Sequence, residues 1–357
     1  MNNSKVAIFT LFLTVFLWFF LSCEGSAQSC ADNYQQISFR DVPGITNEEI
    51  RAIETLQLRY DNFIYGMPLS TEAFINQRGE VGGYAALFCE WLSGIFNIEF
   101  QPRIFEWAEL LEGKESRKIS FSGELTPTPD RTNVYSMTSG IGSRVLKIFY
   151  LNGSKPIEEI IKERRLRCGF VEGTTTIEAV TSELKSDSFD IVLLRDVSFV
   201  YNALRNGTID VFFYSATADA NFIQYHDIMS RNFYPLTYRP VSLSTQNPEL
   251  EPVISIVEKI LEAGGMRYLI SLYNKGEKEY LVYKLHMRLN EEEREYIKNN
   301  PVIPIGVDAG NYPGCFYDQR EKKWSGISLD ILNDVSALTG LTFNRVNDEN
   351  TKWSDII

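Results

Sequence analysis

The sequence predicts an α/β protein with two lobes, because short apolar strands alternate with amphipathic helices in two successive sets. The first set fills residues 60–122 and the second fills residues 166–215. An extended segment at 241–246 and a helical segment at 248–265 follow. This order favours a chain that leaves the first lobe, builds the second and returns. A ligand would then lie between the lobes, where strand ends and helix N-termini converge.

The first set opens with a lead-in helix, because Thr46 and Glu49 stand at the spacing of a capping box. Strands are predicted at 63–67, 98–103 and 119–122, and helices at 83–96 and 107–113. The first of these helices carries apolar residues at i, i+3, i+4, i+7, i+8 and i+11, as an amphipathic helix requires. They are Tyr84, Leu87, Phe88, Trp91, Leu92 and Ile95. The alternation of strand and helix indicates a largely parallel sheet.

The second set repeats this alternation. Strands are predicted at 166–173, 189–194 and 209–215, and helices at 174–184 and 198–207. The later helix at 248–265 ends at two glycines, which is typical of a helix C-terminus. Its predicted buried stripe is Val253, Ile254, Val257, Ile260 and Leu261.

Part of the first set recurs near the end of the sequence. Asn47 and Asn290, 243 residues apart (290 − 47), begin the matching pentapeptides NEEIR and NEEER. Gly83 and Gly326 share that offset, and each precedes a predicted helix. The stripe of the second helix is Ile327, Ile331, Val335 and Leu338. Because the sequence ends soon after Trp353, we expect a second copy truncated in its first lobe and a fragment of a longer protein.

Composition and the N-terminus bear on partners and location. A net charge of -12 and a pI near 4.9 argue against nucleic acid, because no basic face is available for phosphates. Lys5 precedes the apolar run 8–21, which suits the core of a signal peptide and is short for a membrane span. Cleavage after Gly25-Ser26-Ala27, lipidation at Cys23 and an uncleaved anchor all remain open. All three would place the remaining chain outside the cytoplasm, and a lipid or an uncleaved segment would associate it with a membrane.

The cysteines and histidines give no metal signature. The five cysteines, Cys23, Cys30, Cys89, Cys168 and Cys315, form no C-x-x-C pair. The two histidines, His226 and His286, are far apart in sequence, so we expect no metal and no cofactor. Cys89 falls on the apolar face of a predicted helix and reads as a core residue.

The corner FSGELTPTPDRTNVY, residues 121–135, is the main candidate for a binding site. Two prolines fix φ and hold Thr126 and Thr128 in extended geometry. One interpretation is a surface turn that leads into a helix. The other is a preformed anion site, in which hydroxyls and backbone N–H groups assist the guanidinium of Arg131, which can bind a carboxylate in two places.

Four segments together resemble the type II periplasmic solute-binding proteins of bacterial family 3, the polar amino-acid class. Gly123 and Thr126-Pro127-Thr128-Pro129-Asp130-Arg131 are similar to the family's G-x-T-x-T-x-E-R turn, with one extra residue before Thr126. The other three are Gly173-Thr174-Thr175, NGTIDVFF (206–213) and the helical segment 247–276. The resemblance covers about residues 60–285, and its first third recurs in 302–357.

The resemblance implies the two-lobe Venus flytrap fold and a set of ligand-binding residues. Arg131 would bind a ligand carboxylate from lobe one, assisted by Thr126, Thr128 and Gly123. From lobe two, Gly173, Thr174 and Thr175 would offer backbone N–H groups at a helix N-terminus. Trp107 stands where the family often has an aromatic wall, although core packing accounts for it equally well.

One position departs from the family pattern. Amino-acid binders have an aspartate after the second-lobe strand, where it receives the ligand ammonium, and Ser215 stands there in this sequence. Asp219 follows one turn later. The ligand is therefore expected to be a carboxylate without an α-amino group, or to differ from an amino acid altogether.

These features divide the chain into five parts. The predicted parts are a signal peptide or anchor (1–30), a lead-in segment (31–59), a complete solute-binding domain (60–285), a linker helix (286–301) and a truncated second domain (302–357). In the complete domain, lobe one takes about 60–147 and 242–285, and lobe two takes about 148–241.

Tandem copies resemble the sensor regions of two-component kinases and diguanylate-cyclase receptors, so the leading expectation is the sensor region of a receptor whose signalling domain lies downstream. The alternative is the substrate-binding lipoprotein of an ABC-type amino-acid transporter. An enzyme is the third class, with Glu124 and Glu172 as candidate acids near the cleft.

Overall fold

The computed structural model describes residues 34–184 and 188–356, so the segment predicted to target or anchor the chain lies outside the described residues, together with Cys23 and Cys30. The chain forms two compact units that divide between Glu277 and Lys278. Across the described ranges, no helix combines the length and the apolar character that crossing a membrane requires.

Lobe one of the first unit is a small parallel sheet covered by helices. Its helices are α1 (Asn47–Arg59), α2 (Tyr84–Phe96) and α3 (Trp107–Glu115), and its strands are β1 (Asn62–Met67), β2 (Phe74–Ile75), β3 (Val81–Gly82), β4 (Glu99–Ile104) and β5 (Ser122–Leu125). Strands β1 and β4 pair in parallel, with Phe63 opposite Phe100. The backbone N–H of Gly66 donates to the Phe121 carbonyl at 2.9 Å, so the chain entering β5 lies beside β1.

Lobe two contains a second parallel group. The short helix α4 (Pro129–Thr132) precedes the long strand β6 (Ser136–Leu151), and α5 (Ile157–Glu163), β7 (Leu166–Val171), α6 (Thr176–Thr181), β8 (Phe189–Leu194), α7 (Val200–Arg205) and β9 (Val211–Ser215) follow. Strand β7 pairs in parallel with both β8 and β9. The strands and helices predicted for this set are present, with helix α6 shorter than the predicted 174–184.

Two long antiparallel strands join the lobes, and sequence reasoning did not find the longer one. Strand β11 (Tyr238–Thr245) pairs with the first half of β6, whereas β9 and β10 (Ile228–Asn232) pair with its second half. The largest sheet therefore runs β5-β11-β6-β9-β7-β8 and is mixed, not largely parallel as expected. The first half of β6 is rich in glycine and serine, so it lacks the apolar alternation that marks a strand.

The predicted apolar stripes form the core of lobe one. All six predicted positions of α2 are buried, and so is Cys89. The stripe of α8 (Glu251–Ile260) is buried as predicted. The helix does not end at the glycines, because a π-helical turn over Leu261–Gly265, with Gly264 at a φ of 104°, leads into α9 (Met266–Arg288). A separate apolar cluster fills lobe two, and a third, which includes Trp107 and Phe149, lies between the lobes.

The lead-in helix α1 is fixed to lobe one by a half-buried ion pair. Its capping box is present as predicted, because Thr46 N donates to the Glu49 carboxylate at 2.8 Å and Glu49 N donates to Thr46 Oγ1 at 3.2 Å. Lys259 Nζ on α8 donates to the Glu49 carboxylate at 2.6 Å. Burial alone would raise the pKa of Glu49, but the hydrogen bonds from Lys259, Thr46 and Ser255 lower it to about 2.

The second unit has an element order similar to the start of the first, with three short antiparallel strands where the first has two. After α10 (Glu291–Asn299) come β12 (Val302–Ile305), the antiparallel strands β13 (Gly310–Asn311), β14 (Cys315–Asp318) and β15 (Lys323–Ser325), then α11 (Ile327–Thr339) and β16 (Thr342–Arg345). Strands β12 and β16 pair in parallel, as β1 and β4 do. Gly83 and Gly326 both precede their helices at positive φ, 88° and 132°. In the stripe of α11, Ile327 is 57% exposed and Ile331 is 55% exposed.

Candidate ligand-binding cavity

The Thr-Pro-Thr-Pro-Asp-Arg corner turns its arginine towards the space between the lobes. Strand β5 ends at Leu125, and Thr128 caps the short helix α4 by accepting a hydrogen bond from Arg131 N at 3.3 Å. The guanidinium of Arg131 donates to the Thr126 carbonyl at 3.1 Å and, across the cleft, to the Gly173 carbonyl at 2.9 Å. The stiff corner therefore positions a cation that spans the two lobes.

A cavity of about 60 Å³ lies beside this guanidinium, and both lobes line it. Six of the nine residues predicted to bind ligand are in its wall. They are Trp107, Thr126, Arg131, Thr174, Thr175 and Ser215. The structure therefore brings together residues from both predicted motifs, which are more than forty positions apart in the sequence.

The other three predicted residues support the wall without lining it. Gly123 lies beneath Tyr65, where an added Cβ would come within 2.1 Å of the tyrosine hydroxyl oxygen, so only glycine fits. Thr128 is the cap of α4 described above. Gly173 has a φ of 74° and supplies the carbonyl that accepts from Arg131.

The threonines of lobe two differ from the expected anion-binding helix start. The N–H of Thr174 donates to the Val171 carbonyl at 3.3 Å, and its hydroxyl donates to the same oxygen at 2.7 Å. This N–H is therefore already satisfied within the protein. Helix α6 begins only at Thr176, and Thr175 makes no side-chain capping bond.

Trp107 belongs both to the core and to the cavity wall. Its side chain is 5% exposed and packs in the apolar cluster between the lobes. Its indole N–H donates to the Glu172 carbonyl of lobe two at 2.9 Å. Trp107 therefore fits both interpretations from the sequence, as a core residue and as an aromatic wall of the cavity.

No carboxylate stands where an amino-acid ammonium would need one, judged over the described residues that line the cavity. Ser215 accepts a hydrogen bond from Thr217 N at 3.3 Å and cannot supply a negative charge. Asp219 does not line the cavity. Its carboxylate instead forms an ion pair with Lys147 at 2.6 Å and accepts a hydrogen bond from Ser230 Oγ at 3.2 Å. The only acid in the wall is Glu124.

Glu124 is held in a buried ion cluster with Arg144 and Glu72. Arg144 donates to Glu124 at 2.6 and 2.8 Å and to Glu72 at 2.6 and 3.1 Å, so all four carboxylate oxygens accept from one guanidinium. Burial raises the pKa of Glu124, Arg144 opposes that rise, and Glu72 adds to it. Burial also acts to lower the pKa of Arg144, but the two carboxylates raise it well above its usual value.

Sequence reasoning missed two arginines of the wall. Arg144 and Arg239 are opposite each other in the register of β6 and β11, and both line the cavity. Alternation along β11 places Arg239 on the same side as Val241, which also lines the cavity. That signal was lost because the strand was predicted to begin only at 241.

Comparison with known proteins bears on the fold. No family model matches the chain, and no curated protein matches it. Among solved structures, the periplasmic VFT2 domain of BvgS from Bordetella pertussis is similar at a TM-score of 0.52 and 14% identity. The match covers 65% of this chain and 99% of that domain. This chain has the Venus flytrap fold.

Two further solved structures are similar to this chain at slightly lower scores. A mutant of ArgBP from T. maritima has a TM-score of 0.48 and 17% identity, covering 63% of this chain and 99% of that one. AbpA from Streptococcus pneumoniae, solved with L-arginine, has a TM-score of 0.49 and 15% identity, covering 64% and 98%. The predicted fold class, an α/β protein with two lobes of this type, is confirmed.

Proposed function

We propose that the first unit is an extracytoplasmic receptor that binds a small carboxylate-bearing or amino-acid-like solute between its lobes. The observation that carries this proposal is the guanidinium of Arg131, which lies in the wall of the cavity and donates across the cleft to the Gly173 carbonyl. In the described ranges no carboxylate pairs with it. An anion in the cavity would therefore meet a partly buried guanidinium that has no ion-pair partner.

The arrangement also explains how binding could change the conformation. Arg131 is fixed to lobe one by the corner, while Thr174 and Thr175 belong to lobe two, and all three line the same cavity. A ligand that contacts both sides favours the closed arrangement of the lobes over an open one, because only the closed arrangement offers both sets of contacts.

We favour the sensor region of a signalling receptor over a transport lipoprotein. The reason is the second unit, which begins another parallel strand–helix–strand arrangement with its own glycine before the helix. Tandem binding units suit a receptor that passes a conformational change along one chain. The N-terminal apolar segment at 8–21 would attach the chain to the membrane, and a signalling domain would follow downstream.

We propose binding without catalysis. Glu124, one of the two candidate acids, has both carboxylate oxygens engaged by Arg144, so it is poorly placed to exchange a proton with a ligand. Glu172, the other, is exposed, and its backbone carbonyl accepts from Trp107.

Replacing Arg131 tests the proposal. Arg131→Ala in the full chain should lower affinity by about 30-fold to several thousand-fold, because it removes a charge-assisted contact from a closed cleft. Arg131→Lys should be nearly as harmful, since an ammonium cannot reproduce the planar fork. Calorimetry against carboxylates, amino acids and short peptides is the measurement, with circular dichroism to check the fold.

The matched control is Arg267→Ala, which removes an exposed arginine from α9 in the same unit. It should bind as the parent does. If Arg131→Ala retains the affinity of the parent, the corner is a structural turn and the proposal is wrong.

A further inference from the structure

Arg239 is a second cation in the cavity wall, and no described residue neutralises it. Its Nε atom is buried in the protein and has no hydrogen-bond partner. Neither a hydrogen bond nor an ion pair joins its guanidinium to any residue in the described ranges. It lines the same cavity as Arg131. Burial lowers the pKa of Arg131, and the neighbouring charge of Arg239 lowers it further.

The position of Arg239 lowers the stability of the fold when no ligand is bound. It is directly opposite Arg144 in the antiparallel pair of β6 and β11, and like charges at such positions repel. Arg144 is compensated, because Glu72 and Glu124 surround it. Both carboxylates are paired with Arg144, and neither forms an ion pair with Arg239. Within the described residues, Arg239 therefore has no counter-charge, and an anionic ligand group could supply one.

The cavity therefore has two arginines for anions and no counterpart for a cation. Ser215 stands at the position where the resemblance expects an acid, and Glu124 is already paired. A second carboxylate on the ligand satisfies Arg239, whereas an ammonium would add a third positive charge beside Arg131 and Arg239.

We propose that the ligand is a short dicarboxylate, with one carboxylate bound by Arg131 and the other by Arg239. This inference rests on the function proposed above and names the class of solute for that same cavity. Both arginines line one small cavity, so two carboxylates bound by them would lie close together, as in a short ligand. A guanidinium binds a carboxylate through two parallel N–H donors, so two arginines suit a ligand with a carboxylate at each end.

The experiment compares ligands that differ by one charge. Calorimetry on the full chain would measure succinate against succinamate, its half-amide, which has nearly the same shape. We expect the parent to prefer succinate by about 10- to 100-fold, the range for one charge-assisted contact. Arg239→Gln should reduce that preference to less than about 3-fold and leave the affinity for succinamate nearly unchanged. Arg131→Ala should weaken binding of both ligands.

The control Arg267→Gln removes an arginine by the same substitution on an exposed helix and should keep the preference. Equal binding of succinate and succinamate by the parent would overturn the inference, and so would a preference that survives in Arg239→Gln. Sulfate or phosphate binding more tightly than any dicarboxylate would show that both arginines hold a single oxyanion, which also contradicts it.

The outcomes separate this inference from the proposed function. Arg131-dependent binding of monocarboxylates or amino acids, with no preference for a second charge, supports the receptor and rejects the dicarboxylate. Absence of binding across dicarboxylates, monocarboxylates, amino acids, short peptides, sulfate and phosphate rejects both.

Discussion

Replacing Lys114 by methionine should stabilise the folded protein near neutral pH and destabilise it in strong base. The Lys114 side chain is 1% exposed. Its Nζ donates to Ser244 Oγ at 2.6 Å and to the Ser244 carbonyl at 3.3 Å, and it lies 4.7 Å from the centre of the Tyr135 ring. No carboxylate in the described ranges pairs with it. Burial, assisted by the charge of Arg131, lowers the pKa of Lys114 to about 7.

The sign and size follow from proton binding in the two states. In the unfolded chain Lys114 has its ordinary pKa of 10.5, so between about pH 7 and 10.5 the unfolded state binds more protons and stability rises with pH. The shift corresponds to a penalty on the order of 4 kcal/mol at pH 7. Methionine removes the penalty and loses two hydrogen bonds to Ser244, worth about 1 kcal/mol each. The net gain is about 2 kcal/mol at pH 7 and changes sign near pH 9.

Urea unfolding of the full chain at about pH 6.5, 8 and 10 measures this difference, because every other titrating group contributes equally to parent and variant. The control is Lys118→Met, which removes an exposed lysine four positions away and should show no such pH dependence. Parallel stability curves for parent and Lys114→Met would refute the reasoning. Destabilisation by Lys114→Met at every pH would do so too.

Two further predictions concern lobe one. Because the pKa of Glu49 is lowered to about 2, its ion pair with Lys259 stabilises the fold above about pH 4.5, and that contribution is lost as pH falls towards 2. In acid unfolding, the parent should lose on the order of 2 kcal/mol more than Glu49→Gln over this range. Gly83→Ala should cost about 1–3 kcal/mol in urea unfolding, because φ is 88° and the new Cβ would lie 2.7 Å from the Glu72 carbonyl oxygen. Its control Gly94→Ala, in open space on α2, should stabilise by up to about 1 kcal/mol.

The sequence predicted correctly those helices that are marked by a regular apolar spacing or by a capping residue close in sequence. The stripes of α2 and α8 were found because a helix presents its apolar residues at a regular spacing, and the capping box of α1 because Thr46 and Glu49 are three positions apart. Strand β6 was missed because its first half is stabilised by β11, about a hundred residues later, and not by an apolar pattern of its own. The continuation of α8 into α9 was missed for a different reason, because two glycines usually mark the end of a helix and here a π-helical turn passes through them.

The cavity shows the same limit. The motif around Arg131 was visible in the sequence because its residues are contiguous, and so was the turn at Gly173. Arg239 belongs to no motif, and it reaches the cavity only through the register of β11 against β6. Glu124 was taken for a candidate acid because its partners Glu72 and Arg144 are 52 and 20 positions away (124 − 72 and 144 − 124) and come together only in the fold. Charge compensation of this kind depends on tertiary contacts, which spacing does not encode.

The antiparallel pair that joins the lobes has a consequence for how this chain is put together. Val145 and Tyr238 are paired residues of β6 and β11, so the chain leaves lobe one and re-enters it at adjacent points. In connectivity, residues 146–237 are a domain inserted into a hairpin, in the place where a turn of two residues would close the two strands. Lobe two could therefore change in length away from lobe one without moving either end of the hairpin, as inserted domains do at such sites. An exchange of lobe two would have to keep the buried apolar residues that it shares with lobe one, among them Phe149 and Val171.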